Sequence, residues 1–172
     1  MGDGFPFAEA TPIVVALHGS ASHPAQWSTL ARLAGDRFRV LPEVLPGYHG
    51  RRPAMSGARG LGCRALPLIA GIEEHGAPVH LVGHSFGGSV ALKIATMRPD
   101  LVASLTIYEP VLPQIFREGR TPDERRAVGK LMSVSTRLAA AVATGHADEG
   151  VAGFIDLWNG FAAWRTLSLA RR

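Results

Sequence analysis

Cysteine is almost missing from this sequence: Cys63 is the only one in 172 residues, so no internal disulfide can staple the chain. That favours a reducing compartment. Charge is thin as well, with charged residues at 19% and 18 basic against 14 acidic side chains giving a formal net charge of +4. The arginines are scattered as Arg32, Arg37, Arg51, Arg52, Arg117, Arg120, Arg125, Arg126 and the terminal Arg171 and Arg172. A nucleic-acid surface needs a dense basic face interleaved with aromatics, and neither is present, so nucleic-acid binding is not expected. No apolar run approaches the roughly 18 residues that would read as a membrane span, and no basic-then-apolar leader opens the chain. The composition reads as cytoplasmic, with no membrane partner. Internal repeats and low-complexity tracts are lacking too.

What is there is a hydrophobic fraction of 47%, ordinary for a folded domain. Ile13 to Leu17 is a short apolar run that ends in His18-Gly19, as a buried strand entering a loop does. Trp27, Leu30 and Leu33 follow at helical spacing, and Phe38 to Leu41 resumes strand character. The stripe Leu61, Ala65, Ile69 and Ile72 indicates a helix. Pro67 lies inside it, and an interior proline costs roughly 3 kcal/mol, so the helix is expected to start near Pro67 and to end before Gly76. Pro78 to Val82 reads as a strand, Phe86 to Met97 as a helix closed by Pro99, and Leu101 to Tyr108 as a strand. Strands alternating with helices over short connections signal a parallel sheet covered by helices.

The alternation stops after Pro113. Thr121-Pro122-Asp123-Glu124 has a cap, a proline at the first position and capping-box spacing, followed by a stripe of Val128, Leu131, Val134, Leu138 and Val142. Gly145 ends that helix. A second begins near Asp148 with Val151, Phe154, Ile155 and Trp158, and Asn159-Gly160 closes it. The expected fold class is therefore α/β, an incomplete arrangement of about four mainly parallel strands flanked by helices (residues 1–113), with two helices at the C-terminal end (114–172).

The stretch that carries chemistry is Val79-His80-Leu81-Val82-Gly83-His84-Ser85-Phe86-Gly87-Gly88, an apolar strand running through Gly-x-Ser-x-Gly into a helix. That is the context of a nucleophile elbow. A sharp strand-to-helix turn strains the backbone at Ser85, and residues without a Cβ at Gly83 and Gly87 leave room for neighbouring chain. The Phe86 N–H, at the helix start, faces the same space and suits a developing oxyanion.

Leu17-His18-Gly19-Ser20, Leu45-Pro46-Gly47-Tyr48-His49-Gly50 and Gly83-His84-Ser85-Phe86-Gly87-Gly88 stand in an order that resembles the esterase and lipase branch of the α/β-hydrolase superfamily. The resemblance covers about residues 12 to 165. It implies a second oxyanion donor from the backbone after Gly19, which maps onto Ser20 with Ala21 as its neighbour, and a pocket rim at the Pro46 to Gly50 loop. It also implies that residues 120 to 165 form a helical cap. Thr106 to Val111 resembles the end of the next strand.

The reaction implied is hydrolysis of a carboxylic ester through an acyl-enzyme on Ser85, with a small acyl or ester substrate and neither cofactor nor metal. A serine at the elbow argues against epoxide or alkyl-halide attack, which places aspartate there in this fold. The triad order Ser, acid, His puts the last two members after strands that this chain does not show, so it reads as truncated after the cap helices. Glu109 is the best carboxylate for the acid and otherwise a pocket or hinge residue. No histidine fits as base: His84 is part of the elbow, His80 lies in a strand, and His18 belongs to the oxyanion loop. His23, His49 and His75 read as loop or helix-end residues, and His146 as an interhelical one. Two other readings stand beside the esterase: a noncatalytic module binding an apolar ligand, and a cofactor-free haloperoxidase or carbon-carbon bond hydrolase. The sheet edge left open beside the last strand is expected to promote self-association.

Overall fold

The computed structural model describes residues 11–48, 50–51, 60–112, 115 and 121–167. His49 and the arginines at 52, 59, 117, 120, 171 and 172 lie outside the described residues. The chain divides into two compact units, one through Val111 and the other from Leu112 onward.

In the first unit four strands form one sheet: β1 (Ile13–Leu17), β2 (Arg39–Glu43), β3 (Val79–His84) and β4 (Val102–Tyr108). Their order is β2-β1-β3-β4 and every pairing is parallel, as the alternation of elements implied. β1 is an unbroken apolar run because it is central and covered on both faces, with Ala16 and Leu17 fully buried. β2 tolerates Pro42, paired with Ala16, because it is an edge strand and one side of its ladder needs no partner.

The connections are helical. A 3-10 turn, Pro24–Trp27, leads into α1 (Ser28–Ala34), so the first expected helix is split, with Trp27 in the tighter turn. α2 (Leu61–Glu73) and α3 (Phe86–Met97) pack on the face of the sheet that carries Val79 and Leu81. Leu68, Ile69, Ile72, Val90 and Ile94 close this core, each at most 6% exposed.

α2 corrects the expectation that its helix starts near Pro67: it begins six residues earlier, at Leu61, and runs through the proline. Pro67 forfeits one backbone hydrogen bond, at roughly 3 kcal/mol. Burying Leu68, Ile69 and Ile72 on one face contributes about 1.5–3 kcal/mol for each side chain, which outweighs that loss. At the helix ends Arg98 pairs with Asp100 and with Glu73, joining the C-terminal ends of α2 and α3. Its guanidinium holds the Asp100 carboxyl below the usual carboxylate range through direct hydrogen bonds.

The second unit holds α4 (Pro122–Ala143), α5 (Ala147–Asn159) and the short α6 (Ala163–Thr166). The capping box forms as its spacing indicated: Glu124 N–H donates to Thr121 Oγ1 at 3.2 Å, and Thr121 N–H donates to the Glu124 carboxylate at 3.0 Å. Gly150 lets α5 close on α4, since a Cβ there would sit 2.9 Å from both Ala141 Cβ and Leu138 Cα. The α4 stripe is only partly used, with Val134 buried and Val142 56% exposed. α6 was not legible in the sequence; the Asp156 carboxylate organises it by accepting the Ala162 and Trp164 N–H groups at 3.1 and 2.8 Å.

Two outcomes test this account. Pro67→Ala restores the helix donor and is expected to stabilise the first unit by about 1–3 kcal/mol, read as a higher urea midpoint. Gly87→Ala is expected to cost more than about 2 kcal/mol, because the new Cβ would sit 2.5 Å from the His18 carbonyl oxygen and closer still to that of Leu17. Chemical denaturation of both variants beside the wild type measures the difference.

Candidate active site

Ser85 is the single residue between β3 and α3, and its backbone sits at φ 53°, ψ −119°, a region that a residue with a Cβ rarely adopts. Such strain costs about 1–3 kcal/mol and persists only where the surroundings hold it. They do so here with hydrogen bonds. The Ser85 N–H donates to the Tyr108 carbonyl at 2.9 Å, and the Ser85 carbonyl accepts from Ser89 N–H at 3.2 Å and Val111 N–H at 3.3 Å. The Ser89 hydroxyl, 1% exposed as a residue, donates to the Val111 carbonyl at 2.6 Å. The turn from β3 to α3 is thereby stitched to the segment that leaves β4.

The expected glycines have steric reasons. A Cβ on Gly83 would meet the Gly87 carbonyl oxygen at 2.6 Å, and Gly87 itself lies against the carbonyls at the end of β1. Gly19 lies on the other side of the turn: a Cβ there would be 3.4 Å from Ser85 Cβ and 2.9 Å from His84 Nδ1. So the loop after β1 and the Gly83 to Gly87 turn, far apart in sequence, touch at Ser85.

His18 shapes that loop. It is fully buried, and Leu45 N–H, which can only donate, is bonded to its Nε2 at 3.3 Å. The ring proton therefore resides on Nδ1, which donates to the Gly19 carbonyl at 2.9 Å. Tyr48 packs edge-on against the ring at 5.0 Å. With the Gly19 carbonyl turned toward His18, the trans peptide directs Ser20 N–H the opposite way. Both ring nitrogens of His18 are thus engaged in hydrogen bonds.

Glu109 is the first residue after β4 and is exposed, with φ 47° immediately before Pro110. A residue preceding proline is ordinarily pushed to extended conformations, so this too is a strained position. Among the described residues four non-glycine positions have positive φ, and Ala21, Ser85 and Glu109 stand at the C-terminal ends of the adjacent strands β1, β3 and β4. The remaining one, Ala162, is in the second unit.

Among the other described histidines, four have side-chain partners. His84 stacks on Tyr108 with centroids 5.5 Å apart, and its Nδ1 lies 3.4 Å from Gln26 Nε2. His80 Nδ1 is 2.7 Å from the Ser104 hydroxyl, His23 caps the 3-10 turn, and His146 Nδ1 is 3.3 Å from the Thr144 hydroxyl. His75 follows α2. Among the described residues no group of three His, Cys, Asp or Glu side chains is arranged to hold a metal ion, and no helix is long and apolar enough to cross a membrane.

Beneath His84 and Tyr108, on the sheet face away from α2 and α3, lies a groove of about 560 Å³. It is lined by Gln26, Trp27, Leu30, Val82, His84, Thr106 and Tyr108. No sequence pattern marked Gln26. For Ser89 a faint signal existed: a hydroxyl one helical turn after Ser85 in an otherwise apolar helix.

Similarity to known proteins extends over this region. The chain is 41% identical over 98 residues to a pimeloyl-[acyl-carrier protein] methyl ester esterase of Methylococcus capsulatus, a match covering 56% of this chain and 36% of the relative. It is 35% identical over 100 residues to Lipase LipV of Mycobacterium tuberculosis, covering 58% and 37%. The chain thus spans little more than a third of the length of these relatives. Among solved structures, an alpha/beta hydrolase from Sphaerobacter thermophilus superposes with a TM-score of 0.63 at 24% identity, over 87% of this chain and 53% of that one. Residues 14–171 match the model of the alpha/beta hydrolase family. With that match over nearly its whole length and a parallel sheet feeding the turn at Ser85, this chain belongs to the alpha/beta hydrolase family.

Proposed function

We propose that the chain carries the nucleophile half of a serine hydrolase acting on carboxylic esters. The observation that supports it most is the strained Ser85 between β3 and α3, with the Gly19 loop held against it. In this reading Ser85 Oγ adds to the ester carbonyl carbon, the alcohol leaves, and water releases the acid from the acyl-enzyme. Phe86 N–H, the first of α3, has no acceptor within its own helix, and Ser20 N–H is turned away from His18; these two serve the developing oxyanion. Gly19, Gly83 and Gly87 permit the close approach that brings the donors together.

Glu109 is the acid in this scheme; its neighbours Tyr108 and Val111 are hydrogen-bonded to the Ser85 backbone. Its partner imidazole comes from outside the described residues. The relatives named esterase and lipase favour an ester substrate. The second unit, with Phe154 and Trp158 in edge contact at 6.3 Å, is read as the helical region that the resemblance assigns to residues 120–165. A cytoplasmic location fits the single cysteine.

A second reading, a module that binds an apolar ligand without turnover, is favoured by the absence of an uncommitted histidine at the turn among the described residues. Long incubation with a fluorophosphonate and intact-mass analysis separates the two. One adduct on the wild type and none on Ser85→Ala are expected for the hydrolase. A wild-type chain that takes no label, or ligand binding indifferent to Ser85→Ala, favours the binding module.

β4 ends the sheet with Ile107 37% and Tyr108 62% exposed, and we read that edge as a site of self-association. Light scattering is expected to give a mass above the 18.3 kDa of one chain. A clean monomer with a cooperative melt would contradict it.

A further inference from the structure

We propose that Gln26 is a positioning residue for the Ser85 site: one side-chain amide clamps the loop carrying Ser20 N–H and ties it to His84, the residue before Ser85. The inference rests on the serine-hydrolase reading and adds to it a residue that no motif contains.

The geometry is specific. Gln26 Oε1 accepts from Gly19 N–H at 3.1 Å and from the Ser22 hydroxyl at 2.7 Å. One oxygen therefore brackets Ser20 and Ala21 from both sides, and Ala21 is the member of that loop with φ 51°. Two donors on Oε1 fix which end of the amide is oxygen, so Nε2 is the end that faces His84 Nδ1, in a long contact of 3.4 Å.

The clamp acts together with His18. Gly19 is held at its N–H by Gln26 and at its carbonyl by His18 Nδ1. The two bonds hold the peptides on either side of Gly19: Gln26 holds the His18–Gly19 peptide, His18 holds the Gly19–Ser20 peptide, and together they restrict the backbone of Gly19 from which Ser20 N–H is directed. The Gly19 N–H is already occupied, so the loop's donors toward Ser85 are those that follow it. Gln26 is not needed to cap its own 3-10 turn, because the His23 ring accepts Ala25 N–H at 3.0 Å there. Its side chain is committed to the loop and to His84. A donor preorganised in this way stabilises charge that develops during the reaction and adds little to ground-state binding.

The experiment uses the full chain and two readouts. Gln26→Leu removes both the acceptor and the donor; Gln26→Glu keeps the acceptor for Gly19 and Ser22. In Gln26→Leu the Gly19 amide is expected to exchange with solvent at least about fivefold faster, while Gln26→Glu keeps its protection. The maximal rate of fluorophosphonate labelling in Gln26→Leu is expected to fall by about 10–100-fold at an unchanged half-saturating concentration. A residue that only stabilised the fold would lower the melting temperature and leave that split undisturbed. Labelling of Gln26→Leu at the wild-type rate, or unaltered Gly19 exchange, overturns the proposal. A wild type that takes no label sinks the hydrolase reading instead, and is told apart because Gly19 exchange in Gln26→Leu still accelerates.

Discussion

The strained backbone of Ser85 is the constraint around which the first unit is arranged. A serine at φ 53° between a strand and a helix gives up about 1–3 kcal/mol, and an isolated peptide would relax out of it. It holds because both its backbone groups are bonded to the segment leaving β4, and because Gly87 lets α3 begin against the last carbonyls of β1. Parallel order is what puts those two places next to each other. With β3 between β1 and β4, the C-terminal ends of all three strands emerge at the same edge of the sheet. Loops that follow such strands are where open α/β sheets gather ligands.

Buried polar groups give this end of the sheet its definition. His18 and Ser89 are both paired, His18 with Leu45 N–H and the Gly19 carbonyl, Ser89 with the Val111 carbonyl. A buried donor or acceptor left unmatched costs about 1–3 kcal/mol, so such a network has one low-energy arrangement. The proposed oxyanion donors inherit that rigidity from residues that never approach a substrate.

The Gly-x-Ser-x-Gly stretch was legible because its physics is local: the strand, the tight turn and the helix are within about a dozen residues, and only glycine relieves the crowding there. The parallel sheet was legible for a similar reason, since apolar runs of strand length alternated with helical stripes. Pro67 shows the limit of local rules. The proline was rightly read as costly for a helix, yet the face formed by Ala65, Leu68, Ile69 and Ile72 has enough buried area to carry the helix through it.

By itself, then, the sequence determined the order of strands and helices, the capping box at Thr121 and the place of Ser85, because each follows from neighbours a few residues away. Tertiary structure alone decided which residues surround Ser85. Gln26 meets His84 across 58 positions and Ser89 meets Val111 across 22, and no periodicity encodes either meeting. The strain at Glu109 was equally hidden, since it arises from bonds its neighbours make to the turn at Ser85. Contacts of that kind depend on how parallel strands are ordered side by side, which only the packed sheet fixes.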